Sequence, residues 1–120
     1  MILQEIMTIL SAEVLACKNS LDIEVNAVKA SDLMSDVLTM SDSGVLLLTG
    51  LTNVQAVRTA EIAELSAIVF VRGKRPEQDT IELAEQKNIP LLATQLPLYE
   101  SCGLLFQKGL MGTSQPVKDS

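Results

Sequence analysis

Histidine is missing from this sequence altogether, and tryptophan with it. Without histidine there is no Ser-His or Cys-His pair, no usual general base near neutral pH, and no commonest zinc ligand. Aromatic side chains are scarce too: Phe70, Tyr99 and Phe106 make up 2% of the residues, too few for a base-stacking platform. Basic charge is short as well, with 9 Lys and Arg against 15 Asp and Glu and a net charge of −6. Phosphate-backbone binding draws its affinity from a basic face, so nucleic-acid binding is not expected. Only two cysteines are present, Cys17 and Cys102, in no metal-type spacing, and the expectation is two buried, inert thiols rather than a disulfide.

Long apolar runs are absent. None approaches the roughly 20 residues needed to cross a bilayer. The start, Met1-Ile2-Leu3-Gln4-Glu5, has no basic region ahead of an apolar stretch, so no secretory signal is expected and the cytoplasm is the default location. Phosphate fingerprints are missing too: there is no G-x-G-x-x-G and no G-x-x-x-x-G-K-[ST]. Asp32, Asp36 and Asp42 offer oxygen ligands, but the EF-hand spacing is absent and no metal or cofactor is expected. The scattered methionines, Met1, Met7, Met34, Met40 and Met111, read as core or interface filling.

What the chain has is aliphatic bulk, 48% apolar in 120 residues, enough for one domain with one core. A unit recurs three times between Gly44 and Thr94. Val45-Leu46-Leu47-Leu48 leads into Thr49-Gly50-Leu51-Thr52-Asn53, and Ile68-Val69-Phe70-Val71 into Arg72-Gly73-Lys74-Arg75. Leu91-Leu92-Ala93 leads into Thr94-Gln95-Leu96 and a segment opened by Pro97. Strand, turn and helix in succession predict an α/β fold with a mostly parallel sheet. Solidly aliphatic strands imply helices on both faces.

Around these units, Ile2 to Leu10 predict a helix, Glu13 to Ala16 a brief strand, and Ile23, Val25 and Ala27 a strand with one wet face. Ala30 to Leu38 read as a helix capped by Ser31, with Asp32 in its first turn. Val54 to Leu65 predict a helix burying Val54, Val57, Ala60, Ile62 and Leu65. Pro76 suits the first position of the next helix, and Asn88 its left-handed stop. Pro97 opens a last helix with Leu98, Cys102, Leu105 and Phe106 as its apolar face. Gly103 inside that helix implies a close approach by a neighbouring element, and Gly109 ends it. Residues 1–108 form the expected domain, and 109–120 an expected flexible tail.

Such sheets bind ligands at the carboxyl ends of their strands, where the three turns meet. At the first turn Gly50 lets backbone come close to a ligand, and Thr52 or Asn53 caps the following helix. The plain alternative is a capped tight turn. At the second, Arg72, Lys74 and Arg75 gather three of the nine basic residues of an acidic chain. They form either an anion site or a solvated turn. The expected ligand edge comprises Arg72, Lys74 and Arg75 with Thr49, Gly50, Asn53 and Thr94. Tyr99 and Glu100 would do acid–base work only if burial moved their pKa values.

The runs Ser31 to Leu38, Leu48 to Asn53, Ile68 to Pro76 and Asn88 to Thr94 together resemble the DRTGG domain family, related to the N-terminal domain of HPr kinase/phosphorylase. The resemblance covers residues 1 to 108. It implies a three-layer α/β sandwich that is non-catalytic and regulatory, as beside other domains in some phosphotransacetylases and CBS-containing pyrophosphatases. It also implies self-association as a homodimer. Gly50-Leu51-Thr52-Asn53-Val54 stands where the naming Asp-Arg-Thr-Gly-Gly stretch is expected, so the motif's charged pair is missing, and kinase activity is not expected. The functional expectation is a stand-alone cytoplasmic regulatory domain that senses a small anionic metabolite or nucleotide, associates with a protein partner, or both. The alternatives are a pure adaptor for a kinase or redox complex and a small phosphoryl or acyl transferase.

Overall fold

A computed structural model describes residues 1–40 and 42–113. One five-stranded sheet runs through the molecule, built from β1 (Glu13–Ala16), β2 (Ala27–Ala30), β3 (Val45–Thr49), β4 (Ala67–Phe70) and β5 (Leu91–Ala93). The spatial order is β1-β5-β4-β3-β2. The pairs β2–β3, β3–β4 and β4–β5 are parallel, and β1 joins β5 antiparallel. The expected α/β fold with a mostly parallel sheet is what forms.

Alternation along the strands sorts the core into two layers, because successive side chains leave a strand on opposite faces. Leu47, Ile68, Phe70 and Leu91 pack on one face with α2 (Met34–Leu38), α3 (Val54–Ile62) and α4 (Gln78–Lys87). Leu46, Leu48, Val69 and Leu92 pack on the other with α1 (Leu3–Ile9) and α5 (Leu98–Gln107). Every residue of β3, β4 and β5 is buried, which is why these strands read as solid apolar runs. The strands advance steadily from β2 to β5, and crossovers of this kind share one hand, so α2, α3 and α4 all fall on one face.

Several local expectations shift. The alternating stretch Ile23 to Val25 does not belong to the main sheet. It pairs with the start of the chain, through Leu3 N–H to the Ile23 carbonyl at 3.0 Å and Val25 N–H to the Met1 carbonyl at 2.7 Å, and the sheet strand begins at Ala27. The second helix begins at Met34 rather than near Ser31. The Ser31 hydroxyl accepts from Leu33 N–H at 3.0 Å, while Asp32 turns to donors on β3. The third helix ends at Ile62, which is 70% exposed. Its apolar face is Ala56, Val57 and Ala60 instead.

Pro76 precedes α4 by two residues rather than opening it. Asn88 stops that helix with a φ of 57°, and Gly109 follows α5 with a φ of 97°. Phe106 is 60% exposed, so it leaves the apolar face assigned to it. Among the described residues no atom beyond its chain neighbours and its own helix backbone comes within 4 Å of where a Cβ on Gly103 would sit, so the expected close approach is not found among them. Beyond α5, Val28 donates to the Met111 carbonyl at 2.9 Å and accepts from Thr113 N–H at 3.1 Å. The rest of the expected tail, residues 114–120, lies outside the described residues.

Candidate functional site at the carboxyl ends of the strands

The turns after β3, β4 and β5 are tied together by backbone. Val71 N–H donates to the Thr49 carbonyl at 3.0 Å, and Thr94 N–H to the Phe70 carbonyl at 2.9 Å. Arg72 N–H reaches the Leu96 carbonyl at 2.8 Å and Gly73 N–H the Thr94 carbonyl at 2.9 Å. The chain turns to opposite faces after β4 and β5, which would open a crevice between them. Those last two bonds bridge it.

Arg72 and Gly73 both take left-handed φ, 61° and 69°. This backbone sends the Arg72 side chain across the neighbouring turn. A Cβ added to Gly50 would lie 2.7 Å from the Arg72 Nη2, so the missing side chain is what lets the guanidinium rest over the Gly50 backbone. At Gly73 an added Cβ would meet the Gln95 Oε1 at 2.7 Å, in a backbone that already disfavours it.

Asp32 completes the group, although in the sequence it reads as a helix start and as one of three possible oxygen ligands. Ala30 pairs with Leu48 in the β2–β3 register, and Ser31 N–H donates to the Leu48 carbonyl at 3.1 Å. Asp32 therefore emerges beside the β3 turn. Its Oδ1 accepts from Gly50 N–H at 2.7 Å and from the Thr49 hydroxyl at 2.9 Å. The Gly50 N–H chiefly holds the Asp32 carboxyl below its ordinary value, against the opposing effect of partial burial. The Thr49 hydroxyl and the charges of Arg72 and Lys74 push the same way as Gly50. Among the described residues neither Arg72 nor Lys74 forms an ion pair.

The seven expected site residues thus part company. Gly50, Arg72 and Lys74 gather around Asp32, with the buried Thr49 hydroxyl beneath. Arg75 goes elsewhere: its two Nη atoms meet the Glu13 carboxylate at 2.6 and 3.3 Å, at the start of the antiparallel edge strand. That guanidinium lowers the Glu13 pKa by hydrogen bond and charge. Asn53 caps α3, its Oδ1 accepting from Gln55 N–H at 3.1 Å. Thr94 is 2% exposed, and its hydroxyl donates to the Leu10 carbonyl at 2.7 Å while accepting from Leu96 N–H at 3.2 Å. It locks the β5 turn to the end of α1.

Nucleophile chemistry finds little here. Thr49 is fully buried and its hydroxyl donates to a carboxylate whose pKa is depressed, which makes Asp32 a weak base. Cys17 is buried and Cys102 partly so, against the expectation that both are buried. Burial raises both thiol pKa values, and at Cys17 the Glu85 carboxylate raises it further, so both favour the unreactive thiol form. Among the described residues no group of three or more His, Cys, Asp and Glu side chains is placed to hold a metal. No helix among them is long and apolar enough to cross a membrane.

A second surface runs from the β5 turn along α5. On the outer side of α5, Leu96, Tyr99, Cys102, Gly103, Leu104 and Phe106 line an open, largely apolar hollow of about 740 Å³. Tyr99 is 85% exposed there.

Fold and rim together define a small α/β domain whose strand ends bring Arg72 and Lys74 beside Asp32 and the Gly50 turn. The model of the DRTGG domain matches residues 5–107, and the chain belongs to that family. No curated protein sequence matches it significantly. Among solved structures it is similar to the CBS and DRTGG domains of the regulatory region of Clostridium perfringens pyrophosphatase, complexed with the activator diadenosine tetraphosphate. The TM-score is 0.68 at 22% identity, over 88% of this chain and 46% of that one. At that identity the likeness concerns the fold. The chain spans about half the length of that regulatory region, in which the DRTGG domain is a regulatory part.

Proposed function

We propose that this chain is a non-catalytic regulatory domain that senses a small anionic metabolite or nucleotide at the rim formed by Gly50, Arg72 and Lys74. The observation that carries the reading is the Arg72 guanidinium laid over the side-chain-free Gly50 turn, with Lys74 near and neither cation in an ion pair among the described residues. In a chain of net charge −6, two cations without an ion pair among the described residues, one of them over the Gly50 turn, attract phosphate better than the surrounding surface does. The similar pyrophosphatase region binds a nucleotide polyphosphate, a ligand class that suits such a rim. The absence of histidine, the buried Thr49 and the weak base beside it favour sensing over catalysis.

A thermal-shift screen of nucleoside polyphosphates tests the reading. A ligand at 100 times its Kd stabilises the folded state by about 2.7 kcal/mol, a rise of several degrees in Tm. Arg72→Ala and Lys74→Ala should each remove most of that rise. Arg75→Ala should keep it, since Arg75 is engaged by Glu13. A rise that survives Arg72→Ala, or no rise with any polyphosphate, sinks the proposal.

We further propose that the domain self-associates as a homodimer through the outer side of α5. Tyr99 and Phe106 are exposed there beside Gly103, whose missing side chain leaves open space on the helix. A second helix approaching at Gly103 would supply the close contact that is missing among the described residues.

A further inference from the structure

The rim already holds an anion, and that anion is Asp32. We propose that Asp32 is a built-in competitor whose carboxylate occupies the ligand's donors and sets the charge a ligand must bring. The rim would then admit multiply charged phosphates and turn away singly charged anions. The inference rests on the reading of this rim as an anion site and adds its selectivity.

The geometry has three parts. One carboxylate oxygen takes the Gly50 N–H at 2.7 Å and the Thr49 hydroxyl at 2.9 Å, the two uncharged donors that an oxyanion at this turn would use. Arg72 and Lys74 lie close enough to act on the same carboxylate, yet neither forms an ion pair among the described residues. Asp32 itself is exposed and sits between β2 and the five-residue helix α2.

Charge then decides. With Asp32 in place, two cations face one anion and the rim carries one net positive charge; with Asp32 displaced or neutralised it carries two. A free monocarboxylate would only replace one carboxylate with another. The tethered one competes at an effective concentration on the order of millimolar or higher, so the free one loses. A di- or triphosphate brings two or more negative charges to Arg72 and Lys74 and gains what Asp32 cannot supply.

Calorimetric titration of the full chain with inorganic pyrophosphate and with acetate tests this. Asp32→Asn removes the charge but keeps an oxygen for Gly50 and Thr49, so the turn stays folded; Asp32→Ala empties the seat. Asp36→Asn on α2 makes the same change in net charge away from the seat and serves as the control. Asp32→Asn should bind pyrophosphate about tenfold more tightly than wild type. Asp36→Asn should change little. Acetate, which wild type turns away, should bind measurably to Asp32→Ala.

An Asp32→Asn protein that binds pyrophosphate no better than wild type overturns the inference, as does an equal gain in Asp36→Asn. If wild type binds, Arg72→Ala weakens it and Asp32→Asn gains nothing, only the role of Asp32 falls. If neither wild type nor Asp32→Asn binds pyrophosphate, the anion site falls and this inference with it.

Discussion

A left-handed backbone costs a non-glycine residue about 1–3 kcal/mol and persists where surrounding contacts impose it. Ser11, Glu64 and Asn88 take it just past the ends of α1, α3 and α4, where helices are commonly stopped this way. Arg72 takes it in a strand-to-helix turn, fixed by its N–H bond to Leu96 and that of Gly73 to Thr94. The strain aims one long cation across Gly50. Asp32 adds a titration that can be followed. Its folded pKa is depressed below the ordinary 3.8, first by the Gly50 N–H. A depressed carboxyl stabilises the fold above the ordinary value, and that contribution is lost as pH falls from there through the folded value. Melting temperature measured downward from about pH 5 should therefore fall less steeply in Asp32→Asn than in wild type. Parallel acid limbs would show that the Asp32 bonds do not stabilise the folded charge.

At the level of elements, the strands and the helix stops are the parts most legible in the sequence. Four-residue apolar runs fit only a strand covered on both sides, and Asn88 and Gly109 stop helices through their own backbone freedom. Helix faces are less legible. In α3 both Val57 and Ile62 fit an apolar stripe, but the helix ends at Ile62, and that residue points to solvent while Ala56 takes the sheet side. Ile6 on α1 is fully buried against the opposite face of the sheet. Ile6→Ala should lower stability by about 2–5 kcal/mol, whereas Ile62→Ser should stay within about 0.5 kcal/mol. Urea unfolding measures both, and a large loss from Ile62→Ser would contradict the exposed placement. Asp32 shows the same limit at a helix start. Whether an acidic residue caps its own helix or a neighbouring turn depends on the strand beside it, and nothing local encodes that.

In the whole molecule, the steady march from β2 to β5 lines up three turns, and the antiparallel β1 closes the far edge. This arrangement divides the basic cluster. Arg75 is carried to Glu13 on β1, and Arg72 toward Asp32 at the end of β2. It also leaves the outer side of α5 uncovered among the described residues, with Tyr99 and Phe106 exposed. Light scattering behind size exclusion should give twice the 12.9 kDa chain mass for wild type and a monomer for Phe106→Glu. A wild-type monomer at tens of micromolar, roughly the range expected for a weak association, would sink the dimer.

The sequence by itself determined the class of the fold, the solid apolar strands, the helix stops and the restriction to chemistry without histidine. Each of these follows from composition, from spacing over a few residues, or from a single residue's backbone. Only the tertiary structure decided which of seven candidate residues share a rim, that Thr94 ties the β5 turn to the end of α1, and that Asp32 lies beside Gly50 and Thr49. Those partnerships join residues 17 to 84 positions apart in the chain. They exist because parallel pairing fixes one strand end beside another, and sequence spacing carries no record of that register.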